Sequence, residues 1–374
     1  MNSKTLERNS LLDILRFIAA MLVIGRHWLY QQWNLKSLLS SESYGNSASD
    51  LLIHRILKLI SGWIDPINLV GFLGVNIFFM ISGNIILRSV LKKTNPIHFL
   101  INRFARLFPL FLFVLLLSIP AGRFIFNSSE YRNVFNIFSS FTLANYPLNL
   151  AAPNGQTWTL WWEIRFYFLI LITLLFHNKV TNLRKFYLVI VLFWLALICL
   201  PGTNTGAPSD ILLKYYAPFF IFGCLTGLIR SINDLLGLSP FLALTFTLMV
   251  SNLPGQIYSQ IGIRGHYTVG IALIFLASTL ILCDSLGVKI PKKLRKFSSV
   301  GGLATYPIYL LHMVVGAAII KWINDFGAGI LTAILICFVF MVSVSVIYVL
   351  TIEQRIQTFI ISKGKKYLQA VAQF

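Results

Sequence analysis

The chain has 374 residues, 57% of them hydrophobic and 14% aromatic, with only 11% charged, a balance outside the range of soluble globular domains. Its net charge of +19 points away from nucleic acid, because the Lys and Arg sit mostly in short loops between apolar runs rather than on a basic domain. The four cysteines, Cys199, Cys224, Cys283 and Cys337, are scattered singly, which excludes a disulfide framework and a paired-cysteine zinc site.

Apolar runs bounded by charge or by Pro, Gly and Asn predict an all-α polytopic membrane protein with about ten spans of roughly 17 to 25 residues. Their limits are 11 to 30, 67 to 87, 106 to 126, 157 to 177, 184 to 200, 211 to 230, 235 to 253, 267 to 284, 298 to 320 and 328 to 350. With both termini cytoplasmic, the inner loops hold most of the basic residues, including Arg88, Lys92, Lys93, Arg103, Arg106, Lys289 and Lys363. A single transmembrane domain over 1–355 and a short basic cytoplasmic tail over 356–374 follow. The Lys4 and Arg8 start imitates a signal peptide, but Asp13 and Arg16 interrupt its apolar run, so it is expected to stay as the first span.

That first span, LLDILRFIAAMLVIGRHWLY, carries Asp13, Arg16, Arg26 and His27. An ionisable group near mid-bilayer costs roughly 2.5 to 3.5 kcal/mol on insertion scales. Arg16 and His27 lie on one helical face, roughly 16 Å apart along the axis. Snorkelling to the two interfaces is the simple alternative for each cation.

Further along, the second span places Asn76 and the Ser82-Gly83-Asn84 triplet in an aromatic run, where helix packing by small residues is the alternative to a site. Arg103 and Arg106 follow at i, i+3, as inner anchors or as a bidentate phosphate pair. The outer stretches 31 to 66 and 127 to 156 are long, and LLIHRILKLISGWI in the first reads as an interfacial amphipathic helix. The fourth span opens TWTLWWEIRFYF, burying Glu163 beside Trp158, Trp161 and Trp162. The ninth contains Thr305, Tyr306, Tyr309 and His312, with Tyr309 and His312 sharing a face.

Counted inward at about 1.5 Å per residue, Arg16 lies about 8 Å from the cytoplasmic end, His27 about 24 Å, and His312 and Glu163 about 21 Å. Three ionisable groups therefore share the outer half, while Arg16, Arg103 and Arg106 gather at the inner half. Independent snorkelling does not predict such layering. It suits a two-sided reaction in which an anionic, phosphate-bearing donor enters from inside and a hydroxyl acceptor from outside. A secondary transporter or lipid-linked glycan flippase is the competing class, set against the lack of a detectable inverted repeat.

Five pieces in order resemble the membrane acyltransferase-3 family: LLDILRFIAAMLVIGRH with its Arg-x10-His spacing, LGVNIFFMISG, the Arg103/Arg106 pair before Pro109, WTLWWE, and YPIYLLH. The resemblance covers nearly the whole chain. Asn76, Asn84 and Thr305 depart from the pattern, where an aspartate, an aromatic and a serine are common.

The resemblance implies an O-acyltransferase of the bacterial cytoplasmic (inner) membrane. It implies an acyl-CoA donor, acetyl-CoA first, and a glycan or lipid-linked saccharide acceptor, with no metal. His27 takes the catalytic histidine role, and Arg16, Arg103 and Arg106 stand near the CoA phosphates. Glu163 and Arg16 complete the catalytic set, and Ser82 is a further donor-side candidate. Asn76, Trp158, Tyr309 and His312 are candidates for acceptor binding or for stabilising the oxyanion. Membrane lipids and a second copy of the chain are the remaining candidate partners.

Overall fold

The computed structural model describes residues 10–32, 71–92, 95–126, 131–148, 150, 152–177, 179–200, 213, 215–261 and 267–371. Every regular element among these is helical. In chain order they are α1 (Ser10–Gly25), α2 (Gly71–Val90), α3 (Pro96–Phe126), α4 (Val134–Phe141), α5 (Trp158–His177), α6 (Leu183–Cys199), α7 (Ala217–Leu228), α8 (Ile232–Ile261), α9 (Tyr267–Ser285), α10 (Lys292–Leu311), α11 (Val314–Ile323), α12 (Ile330–Tyr348) and α13 (Gln354–Val371).

Each of the ten predicted apolar runs overlaps a helix, but length separates them. Six helices are long and apolar enough to cross a membrane, or seven counting one bent pair, among the described residues. α1, α6 and α7 have only 16, 17 and 12 residues of regular helix. α1 continues through a wider π-helical segment, Arg26–Gln32. The ninth run, expected to be continuous from 298 to 320, is bent by 76° between α10 and α11. Residues 356–371, expected as a tail, belong to α13, which packs back on α3 with Gly364 against Ile101. The amphipathic helix expected within 31 to 66, at 51–64, lies outside the described residues.

The outward faces carry large apolar side chains, such as Phe113 on α3, Phe168 on α5, Phe275 on α9 and Phe340 on α12, as a lipid-facing surface requires. Lipid tails offer no hydrophobic drive for helices to associate, so close backbone approach must hold them together. α2 shows this on two faces. A Cβ at Gly74 would meet Ala19 O of α1 at 2.5 Å, and one at Gly83 or Gly223 would land on the backbone of α7 or α2 respectively. α1 in turn packs extensively on α10, where Gly302 leaves room for Asp13. The result is α1 packed tightly between α2 and α10, with its Asp13 and Arg16 buried.

One ion pair ties the lower end of this core. Arg88 Nη1 donates to Asp284 Oδ2 at 2.9 Å and Arg88 Nη2 to Ser285 Oγ at 2.8 Å, joining α2 to α9. Asp284 has only 5% of its side chain exposed, so its charge depends on that guanidinium. Asp284→Ala is expected to destabilise the fold by about 1.5 kcal/mol, the scale for losing a hydrogen bond to a charged group, because the Arg88 left behind is 23% exposed and keeps Ser285. Thermal unfolding in detergent checks it; an unchanged midpoint would mean the pair is dispensable.

Candidate active site

The break between α10 and α11 builds the upper part of the site. Bending a helix frees carbonyls that would otherwise accept intrahelical N–H bonds, and buried carbonyls must find other donors. Side chains from distant segments supply them. Gln156 Nε2 donates to Leu310 O at 2.5 Å and to Tyr309 O at 3.3 Å, Asn154 Nδ2 donates to Leu310 O at 3.4 Å, and Trp28 Nε1 donates to His312 O at 2.6 Å. His312, at the bend, is fully buried.

His312 meets His27 there: His27 Nδ1 and His312 Nε2 are 2.7 Å apart. The other nitrogen of His312, Nδ1, is 2.5 Å from Tyr309 O. A carbonyl oxygen only accepts, so Nδ1 of His312 carries the proton. In a neutral ring its Nε2 is then the acceptor, and His27 Nδ1–H is the donor. His27, also neutral, is left with its basic lone pair on Nε2. The backbone of Tyr309 thus selects the His27 tautomer through His312, as carbonyls and carboxylates orient ligating or catalytic histidines elsewhere.

The Tyr309 side chain links this pair to a cavity whose largely apolar wall carries several charged groups. Its Oη lies 2.9 Å from Thr159 Oγ1 and donates to Gln156 O at 3.3 Å. Tyr309 and Thr159 line a cavity of about 820 Å³, open mouth included, bounded by α1, α2, α3, α5 and α10. Arg16, Arg103, Arg106, Ser82 and Glu163 line the same space. Five of the charged and polar groups singled out in the sequence, from four helices, therefore face one cavity together with Tyr309.

Within it, Glu163 Oε1 accepts from Ser82 Oγ at 3.3 Å and from Tyr167 Oη. Glu163 sits one turn along α5 from Thr159, about 6 Å deeper than the Tyr309 contact. It belongs to the cavity rather than to the histidine pair, although the depth count placed all three at one level. Arg103 is held between the rings of Phe99 and Tyr167, at 5.3 and 5.4 Å from their centroids. Arg16 lies 3.7 Å from Asp13 on its own helix. Three guanidiniums against Glu163 and, beside Arg16, Asp13 leave an excess of one positive charge, a field that attracts anions into a low-dielectric space.

Besides the two histidines, two further sequence candidates stand apart from the cavity wall. Asn76 is fully buried on α2, beside the lining residue Val75. Trp158 packs on Tyr216 at 5.7 Å between ring centroids. Conversely, sequence reasoning passed over Thr159, Tyr167, Gln156 and Trp28. Tyr167 stands four residues after Glu163, a helical-neighbour spacing that was open to reading. Gln156 and Trp28 act on carbonyls freed by a bend that no local pattern announced.

A family model described as an acyltransferase domain matches residues 9–352, nearly all of the chain. The chain belongs to the acyltransferase-3 family. No curated protein and no solved structure gives a significant match. For an acyltransferase the arrangement divides naturally: a neutral histidine with a directed lone pair suits proton removal from a hydroxyl, and an adjoining basic cavity suits an anionic donor. That activity sets the carrier reading aside. The matched segment contains the histidine pair, the cavity and the bend between α10 and α11 that joins them.

Proposed function

We propose that this acyltransferase moves an acetyl group from cytoplasmic acetyl-CoA, or a related acyl-CoA, to a hydroxyl of an extracytoplasmic or membrane-associated glycan. The observation that carries the reading is the hydrogen-bonded line Tyr309 O, His312, His27, which ends in a free His27 Nε2 and is joined through Tyr309 to a cavity lined by Arg16, Arg103 and Arg106. The ten-run pattern with basic inner loops supports both termini on the cytoplasmic side of a bacterial inner membrane, with Arg103 and Arg106 inward and the histidines outward.

In this mechanism His27 Nε2 takes the proton from the acceptor hydroxyl as its oxygen attacks the thioester carbonyl. The tetrahedral intermediate collapses with loss of the C–S bond. The departing thiolate recovers the proton from the His27 imidazolium, leaving an ester and free thiol. His312 acts as the positioning residue: it holds the His27 ring and spreads the charge that forms on it. Tyr309 Oη and Ser82 Oγ are two of the lining hydroxyls, and each serves the developing oxyanion by exchanging its present acceptor, Gln156 O or Glu163 Oε1, for it. Glu163 balances part of the positive lining and fixes Tyr167 and Ser82.

Proteoliposomes given acetyl-labelled acetyl-CoA on the inner side and saccharide acceptor on the outer side test the reading. Label is expected on the acceptor in covalent form. Acceptor crossing the bilayer unmodified would overturn the proposal, and mass spectrometry of surface glycans from cells with and without the protein identifies the acylated group.

A further inference from the structure

Below the cavity, beyond the end of α2, lies a second concavity that the mechanism above leaves unused. It is an open cleft of about 1150 Å³, solvent side included, between the end of α2, the end of α7 and the turn after α9. Its charged lining is Arg88, Lys92 and Arg230, with no carboxylate among the described lining residues. Ser89 and Ser285 add hydroxyls to the wall.

These cations differ in how they are held. Arg88 is pinned from behind by Asp284 and Ser285, and Ser285 in turn accepts from Asn84 Nδ2 at 3.2 Å. Lys92 and Arg230 are exposed. Asp284 balances one of the three charges, so the cleft keeps an excess of two. Cations after α2 and α7 also complement the negative ends of those helix dipoles. That effect asks for one charge at each end, not for three converging on a single open space.

The cleft and the cavity are consecutive along one helix. Ile85 belongs to both walls, Ser82 faces the cavity and Ser89 the cleft, and the run from Phe78 to Lys92 covers about 21 Å of α2 and its end. An extended pantetheine arm with its diphosphate has that reach. A terminal phosphomonoester, with nearly two negative charges and three acceptor oxygens near neutral pH, matches the excess charge of the cleft.

The geometry points to a phosphate site in which Arg88, Lys92 and Arg230 take the phosphorylated ribose at the nucleotide end of the donor, an identity of ligand that rests on the acyl-CoA reading. The three guanidiniums of the cavity are then left to the diphosphate and the arm. The assignment divides the donor into two separately bound anions, one in each concavity.

The test uses a purified Lys92→Ala, Arg230→Ala double variant; Arg88 is kept because its loss would strand Asp284. Calorimetry measures adenosine 3′,5′-bisphosphate alone, then CoA against 3′-dephospho-CoA, in neutral detergent and in nanodiscs with and without phosphatidylglycerol. Wild type is expected to bind the bisphosphate and to prefer CoA. The double variant should bind the bisphosphate about tenfold more weakly, lose that preference, and depend less on salt. Wild type failing to bind the bisphosphate, or the variant keeping the preference for CoA, overturns the assignment. Phosphatidylglycerol abolishing bisphosphate binding overturns it too, in favour of a lipid headgroup. Bisphosphate binding lost in the variant, with no acyl transfer from any CoA thioester to any acceptor, sinks the acyl-CoA reading and leaves the phosphate site standing.

Discussion

His27→Ala is expected to lower turnover by about a thousandfold while the protein remains folded, the middle of the range for losing a positioned general base. The expectation follows from the tautomer assignment. With His312 Nδ1–H committed to Tyr309 O, only His27 Nε2 is left in the pair with a lone pair that no hydrogen bond consumes. Removing the ring leaves His312 Nε2 without its donor, a penalty of about 1 to 3 kcal/mol that should appear as a modest drop in thermal midpoint. Donor affinity should hold, because His27 is not part of the basic cavity wall. His312→Ala should act in the same direction but less, about a hundredfold on kcat, since it removes the orienting partner and spares the base. Initial rates at saturating donor, with donor Kd measured separately, check both. Retained His27→Ala turnover would remove the histidine from the chemistry.

How much of this was legible beforehand follows from where each piece of information resides. Arg16, Arg103, Arg106, Ser82 and Glu163 face one cavity; Arg16 and Glu163 were singled out because a charge in an apolar run is costly, Ser82 because its triplet interrupts one, and Arg103 and Arg106 because two guanidiniums at i, i+3 share a helical face. The His27 to His312 contact spans 285 positions, and the sequence offered only two similar depth estimates on separate helices. Depth along an axis says nothing about rotation around it. That is also why Glu163, counted to the same level, turns out to bond Ser82 and Tyr167 one turn away. The bend at His312 was hidden for a further reason. The run from Ser298 to Ile320 stays apolar through Pro307 and the bend, and the donors that cap the freed carbonyls come from Trp28, Asn154 and Gln156, far off in the chain. Hydropathy likewise could not tell α7, with 12 helical residues, from a full span, because its flanking residues are apolar too.

Replacing Arg103 and Arg106 together by alanine is expected to weaken acyl-CoA binding by about a hundredfold or more, taking roughly 1.5 kcal/mol for each charge-assisted hydrogen bond to the donor that the change removes. Both guanidiniums line the cavity, and without them the balance falls from an excess of one positive charge to a deficit of one, Arg16 alone then facing Glu163 and Asp13. The effect should shrink as salt is raised, since screening already weakens the wild-type attraction. Arg103→Lys should recover only part of the affinity. A lysine keeps the charge, but it lacks the planar fork that the Phe99 and Tyr167 rings hold in place. kcat at saturating donor should fall far less than Kd rises, because the His27 and His312 pair is not part of the cavity wall and meets it only through Tyr309. Equilibrium binding of CoA across a salt series decides between this role and the simple one. Residues that merely anchor the inner membrane face would, once the protein is inserted and purified, leave both the affinity and its salt slope where they were.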